Sequence, residues 1–365
     1  MGQAATEGYF SSDYQEARDK FLQACSAAGA RVESFKNPRR GPEGETLFTD
    51  VALLGTADAE TVLVLGSGTH GVEGFAGSGI QVGLLREGVG SNLKPNVRIV
   101  MIHAINPYGF AHLRRFNEEN IDLNRNFLEH AGSYPANYGY EELRYEISPR
   151  NISRWAEAKS YAKLFLYRLR KGEAALRRAV NGGQYSHPQG LFFGGRSEAW
   201  SNTMLRKIAI RYLSDAKKVV FVDFHTGLGS FGDAEIILNV SEESPAFLRA
   251  TKWWGDKSRS TASGESVSIH LAGTLKLAFP DMIPGVEVTA VSLEFGTVSS
   301  RKVFSALRAE NWLHHYGGND KSRAKDIKED LLRAFYPDDD EWKHKVWRQG
   351  REAVDEVLNF LQGGR

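Results

Sequence analysis

Cysteine is almost absent from this 365-residue chain. Cys25 has no partner for an internal disulfide, which fits a reducing compartment. Placed in a helical pattern, it reads as a small buried apolar residue rather than a nucleophile. An excess of one charge is also missing, with 46 Lys+Arg against 45 Asp+Glu. The long basic face that nucleic-acid binding requires is therefore not expected. No window approaches the ~18 apolar residues of a membrane span. Residues 1–10 lack the basic and apolar regions of a secretory signal, and Gly2 with Thr6 matches the myristoylation pattern only loosely. The expectation is a soluble, cytoplasmic protein with neither a nucleic-acid nor a membrane partner.

Hydrophobic residues make up 41% of the chain, enough for one large core or two small ones. Repeats, low-complexity tracts and linkers are lacking, so a single domain over 1–365 is expected. Residues 11–28 read as an amphipathic helix capped by Ser11 or Ser12. Apolar β-type runs fall at 31–35, 48–54, 61–65, 96–102, 217–224 and 288–295. Helical patterns fall at 155–179, 197–212, 303–316, 324–335 and 342–361. Strands separated by helices predict an α/β fold: a twisted, mostly parallel (mixed) central sheet flanked by helices on both faces. An irregular and helical insertion is expected at about 134–200, and a helical C-terminal extension at about 320–365.

In such sheets ligands bind beyond the carboxyl ends of the strands, and His70, Asn106, His225 and Glu294 lie at or just past such ends. His70-Gly-Val-Glu73 offers imidazole and carboxylate at one spot, both good zinc donors. An H-x-x-E pair is common by chance, so its meaning depends on what accompanies it. His225, in Val-Asp-Phe-His-Thr-Gly, completes a His2Glu set that leaves a fourth position open, as catalytic zinc sites do. Taken alone it would read as a hydrogen-bonded structural histidine. Glu294, flanked by Leu293 and Phe295, is either a paired strand-end carboxylate or a partly desolvated general base. The run from Arg114 to Phe127 is dense in polar side chains, and arginines in such a loop bind carboxylates bidentately.

H-x-x-E, then Asp122-Leu-Asn124-Arg125-Asn126, then His225 and a late Glu294 resembles the order in zinc carboxypeptidases of the carboxypeptidase A type. The run R-x(6)-D-x-N-R-N-F is especially similar to a bacterial branch of metallopeptidases in that superfamily, and the likeness covers roughly 48–316. It implies a carboxypeptidase-like fold and one zinc ion held by His70, Glu73 and His225. It further implies that Asp122 orients the first histidine, and that Asn124 and Arg125 grip a substrate carboxylate. Arg115 would stabilise the oxyanion, with Arg114 an alternative for that role, and Glu294 would be the general base. The implied activity is zinc-dependent amide hydrolysis by a metallocarboxypeptidase, on a peptide or peptide-like substrate with a free carboxylate.

Two departures bear on the substrate. The family's mobile tyrosine is missing, since no tyrosine stands between Tyr212 and Tyr316; Trp253, Trp254 and His270 are the candidates to cover the site. The 134–200 insertion can also reshape the cleft. The similar aspartoacylase and succinylglutamate desuccinylase group does without that tyrosine, making an N-acyl amino acid deacylase the alternative. A non-catalytic binding protein on the same fold is the second alternative. Phe279 and Asp281 fall near the expected floor of a side-chain pocket.

Overall fold

A computed structural model describes residues 6–263, 266–269, 271–318 and 320–364. Gly2 and His270 lie outside the described residues. The strands are β1 (Arg31–Arg40), β2 (Thr46–Leu54), β3 (Thr61–Ser67), β4 (Val97–His103), β5 (Lys218–Phe231), β6 (Ala234–Leu238), β7 (Ser258–Ser260) and β8 (Glu287–Gly296). They form one sheet in the order β1-β2-β4-β3-β5-β8-β6-β7. Four of its seven neighbouring pairs are parallel and three antiparallel. The mixed, mainly parallel sheet is the one expected.

The helices are α1 (Tyr14–Ala27), α2 (Gly74–Arg86), α3 (Pro107–Ala111), α4 (Tyr138–Ile147), α5 (Arg154–Lys171), α6 (Glu173–Asn181), α7 (Trp200–Leu213), α8 (Pro245–Trp254), α9 (Leu275–Met282), α10 (Ser300–Tyr316), α11 (Lys321–Phe335) and α12 (Asp340–Leu361). They cover both faces of the sheet. Side chains of a strand alternate between faces, and β3 shows it: Leu63 and Leu65 enter one core, Val62 and Val64 the other. The first core is closed by α1, α2 and α12, the second by α7 and α9. Trp342 of α12 is fully buried and donates from Nε1 to the Gly296 carbonyl, so the last helix belongs to the main core. A third apolar cluster joins α4, α5 and α6 of the insertion to α10 and α11. No helix among the described residues is long and apolar enough to cross a membrane.

Several sequence expectations shift. Helix α1 starts at Tyr14, and Asp13 rather than Ser11 or Ser12 caps it, accepting from the Glu16 amide at 2.8 Å. The 155–179 pattern is two helices, broken at Gly172 where φ is +88°. Strand β5 runs on to Phe231, so His225 lies inside the strand instead of following it. Trp253 and Trp254 are buried, Trp254 donating to the Ala353 carbonyl, so neither covers the cleft. Phe279 stacks on Phe221 in the second core, and Asp281 is exposed; neither lines the cleft. Cys25 is buried and its thiol is pushed up to about 12 by burial, consistent with a packing role.

Candidate metal centre

His70 and Glu73 sit on the short turn between β3 and α2. Gly71 is required there by close approach, since a Cβ would fall 2.0 Å from the Gly109 backbone. The amides of Gly71 and Val72 donate to the carbonyls of Arg115 and Arg114, at 3.2 and 2.8 Å. The turn is thus stitched to the arginine loop. His225 and Glu294 come from adjacent parallel strands in direct register, so sheet geometry sets their separation.

The donor atoms of His70, Glu73 and His225 lie within 4.8 Å of one another, all buried. His225 Nδ1 is 3.0 Å from Glu73 Oε2, and the Thr226 amide donates to the same oxygen at 3.1 Å. His70 Nδ1 stands 3.0 Å from Glu73 Oε1 without forming a hydrogen bond, leaving a buried nitrogen unsatisfied. Behind each imidazole is a carboxylate: Asp122 Oδ1 is 3.1 Å from His70 Nε2, and Asp223 Oδ2 is 2.7 Å from His225 Nε2. With a carboxylate at each Nε2, both Nδ1 atoms face Glu73, the arrangement by which metal-ligating histidines are fixed. The orphaned nitrogen and the His2Glu donor set together fit one divalent cation of the zinc type.

The carboxylates around the His225 imidazole favour positive charge there. Burial disfavours the charged forms, yet Asp223 and then Glu73 raise the His225 imidazole to about 10. Against the same burial, His70 and His225 hold the Glu73 carboxyl well below the usual range. Arg115 donates to Glu73 Oε1 at 2.8 Å and to Asp122 Oδ2 at 3.1 Å, and its Nη2 is 2.9 Å from His70 Nε2. Asp122 also accepts from the Asn124 amide at 3.0 Å, capping the 3-10 turn Leu123–Arg125. Burial and the charge of Glu73 push the Glu294 carboxyl up to about 7, and Glu294 Oε1 accepts from the Leu228 amide at 3.0 Å.

His70, Glu73, Arg115, Asn124, Arg125, His225 and Glu294 all face one cavity of about 1150 Å³, with Asp122 behind them. Two other sequence candidates do not. Arg114 is buried elsewhere, paired with Glu310 at 2.8 Å. Asn106 caps α3, accepting from the Gly109 amide. Arg125 donates to the carbonyls of Asn124 and Asn181, both at 2.7 Å, while its buried Nε has no partner. The insertion supplies one cavity wall, with Leu164, Phe165, Leu176 and Val180 facing α10 residues Val303, Phe304 and Leu307.

Sequence reasoning missed Asp223 and Phe192. Asp223 stands two residues before His225, hence on the same face of β5; that spacing was the available clue. Phe192 has its ring 5.7 Å from the Arg115 guanidinium and 6.0 Å from that of Arg125. Only the aromatic pair in Gly-Leu-Phe-Phe-Gly-Gly hinted at it.

Among solved structures, the chain is similar to carboxypeptidase A from Helicoverpa armigera, at 13% identity and a TM-score of 0.48, covering 88% of this chain and 74% of that one. Bovine thrombin-activatable fibrinolysis inhibitor, in complex with tick carboxypeptidase inhibitor, matches at 13% identity and 0.45, covering 95% and 98%. A succinylglutamate desuccinylase from Silicibacter sp. matches at 13% and 0.40, covering 79% and 67%. No curated protein matches the chain. Residues 10–349 match the family described as "Protein of unknown function (DUF2817)", and the chain belongs to that family.

Proposed function

We propose that this protein is a zinc-dependent amide hydrolase acting on a small substrate with a free carboxylate, most economically a metallocarboxypeptidase. The observation that carries this reading is the convergence of a carboxylate-backed His2Glu donor set, a buried glutamate and two arginines on one cavity. His70, Glu73 and His225 would hold the cation, which supplies Lewis-acid polarisation of a carbonyl and a more acidic water. Glu294, raised towards neutrality, takes the proton of the attacking water and returns it to the leaving nitrogen. Arg115 faces the developing oxyanion. Arg125 and Asn124 hold the substrate carboxylate, and Asp122 keeps His70 in its donor tautomer. An N-acyl amino acid deacylase is the second reading. It is favoured by the lack of tyrosine between positions 212 and 316 and by an insertion that walls the cavity.

The test is turnover of C-terminally free peptides beside N-acyl amino acids, with and without chelator. Hydrolysis should require zinc and a free carboxylate, and Glu294→Gln should abolish turnover while zinc stays bound. Activity that survives chelator, or equal rates on amidated peptides, would overturn the reading.

A further inference from the structure

Lys276 is a cavity cation with no part in the steps above. Lys276 stands in the first turn of α9, and its Nζ donates to Ser292 Oγ at 3.2 Å. Among the described residues it has no carboxylate within ion-pair distance. Arg115, by contrast, is matched by Glu73 and Asp122. The segment bearing Lys276 is fastened to the clamp loop at two points. The Leu275 amide donates to Asn124 Oδ1 at 2.9 Å, and the Phe127 amide donates to the Gly273 carbonyl at 3.0 Å. Ser292 precedes Glu294 by two residues on β8, so both share one strand face, ~6.6 Å apart along it. The ammonium is therefore held in the same cavity as the clamp and the base.

We propose that Lys276 makes the site selective for substrates whose terminal residue carries a second carboxylate, of the aspartate or glutamate class. Arg125, Arg177, Lys276 and Arg301 line the cavity without a carboxylate partner among the described residues; of these, Arg125 lies on the clamp loop and Lys276 on the segment fastened to it, and a dianion would match both. Desolvation pushes the Lys276 amine down to about 8, against the pull of Glu294 and Asp223. An ammonium that has lost water and met only a hydroxyl is poorly satisfied, and a ligand carboxylate supplies what is lacking. The inference rests on the hydrolase reading for where the terminal carboxylate lies.

The experiment compares zinc-supplemented full-length protein on N-acyl amino acids and N-acylated dipeptides ending in glutamate, glutamine or leucine. The expected kcat/KM for glutamate exceeds that for glutamine by about tenfold or more. Lys276→Gln should bring the ratio near one, and Lys276→Arg should restore most of it. A ratio near one in the unmodified protein overturns the inference. So does a ratio unchanged in Lys276→Gln while all rates fall together, since Lys276 would then act only on Glu294. If no substrate is turned over, calorimetry with free glutamate and glutamine decides. Tighter glutamate binding that depends on Lys276 supports the inference while the hydrolase reading fails, and equal binding overturns the inference too.

Discussion

Asp223 offers the sharpest test of the metal centre, because its one contact with the donor set is the carboxylate behind His225. Its Oδ2 lies 2.7 Å from His225 Nε2, and Thr69 Oγ1 is 2.9 Å from both carboxylate oxygens. Asparagine has the same shape and can present its oxygen to the imidazole, so Asp223→Asn removes the charge and leaves the bond. Hydrogen bonds to charged groups contribute ~1.5–3 kcal/mol and neutral ones ~0.5–1.5. The difference, about 1–1.5 kcal/mol, corresponds to roughly a tenfold loss of zinc affinity. Asp223→Ala also frees the ring to rotate and should approach the ~100-fold loss seen for outer partners of metal ligands. Competition with a chromogenic chelator at fixed pH measures both, with near-UV circular dichroism confirming the fold. Affinities within twofold of the unmodified protein for both variants would refute the assignment of Asp223.

Other expectations follow from the same structure. Glu294 must be ionised to act as base, and its carboxyl is raised to about 7 by burial and Glu73. A nearby cation stabilises the carboxylate, so the acid limb of kcat/KM in the zinc form should fall between 4.5 and about 7; a flat profile from about pH 4 to 8 would contradict this. Glu310 is held down to about 2 by Lys328 and Arg114 despite burial, so its stabilisation is complete above about 4.5 and is lost as pH falls towards 2. Glu310→Gln strands the buried Arg114 and the half-buried Lys328 and should cost ~3 kcal/mol in denaturant unfolding, without changing zinc affinity. Gly183 has φ +78°, and a Cβ there would fall 2.6 Å from Arg125 Cδ. Gly183→Ala should displace that guanidinium and raise KM for carboxylate substrates at least several-fold, with kcat less affected.

The sequence was most legible where burial is two-sided. Val62, Leu63, Val64 and Leu65 are all fully buried, so β3 reads as an unbroken apolar run, and Ile99–Ile102 of β4 and Val219–Val222 of β5 read likewise. Edge strand β7 offered only Ser258–Ser260, too short and polar to show a period. Helix α9, with Pro280 inside it, breaks the usual helical signature. At the site, His225 and Glu294 were legible as strand-end residues, whereas Asp223, two residues from His225, was not. Arg114 and Arg115 are equivalent as letters; only the fold turns one towards Glu310 and the other towards Glu73. Lys276 is equally silent, because its neighbours Asn124 and Ser292 lie far away along the chain.

The register of His225 against Glu294 has a consequence for how the centre comes apart. Those two residues belong to strands paired inside an eight-stranded sheet, away from both edges. Their amides should exchange with solvent only when the whole sheet opens. Arg115, Asp122, Asn124 and Arg125 belong instead to a loop and its short 3-10 turn, tied by bonds such as the Asp122 amide to the Phe193 carbonyl. That segment can open locally and protect less. The centre then has a hard half, bearing the third donor and the base, and a soft half, bearing the grip on the substrate. Partial unfolding would release the ligand first and leave the chemistry in place to be re-armed.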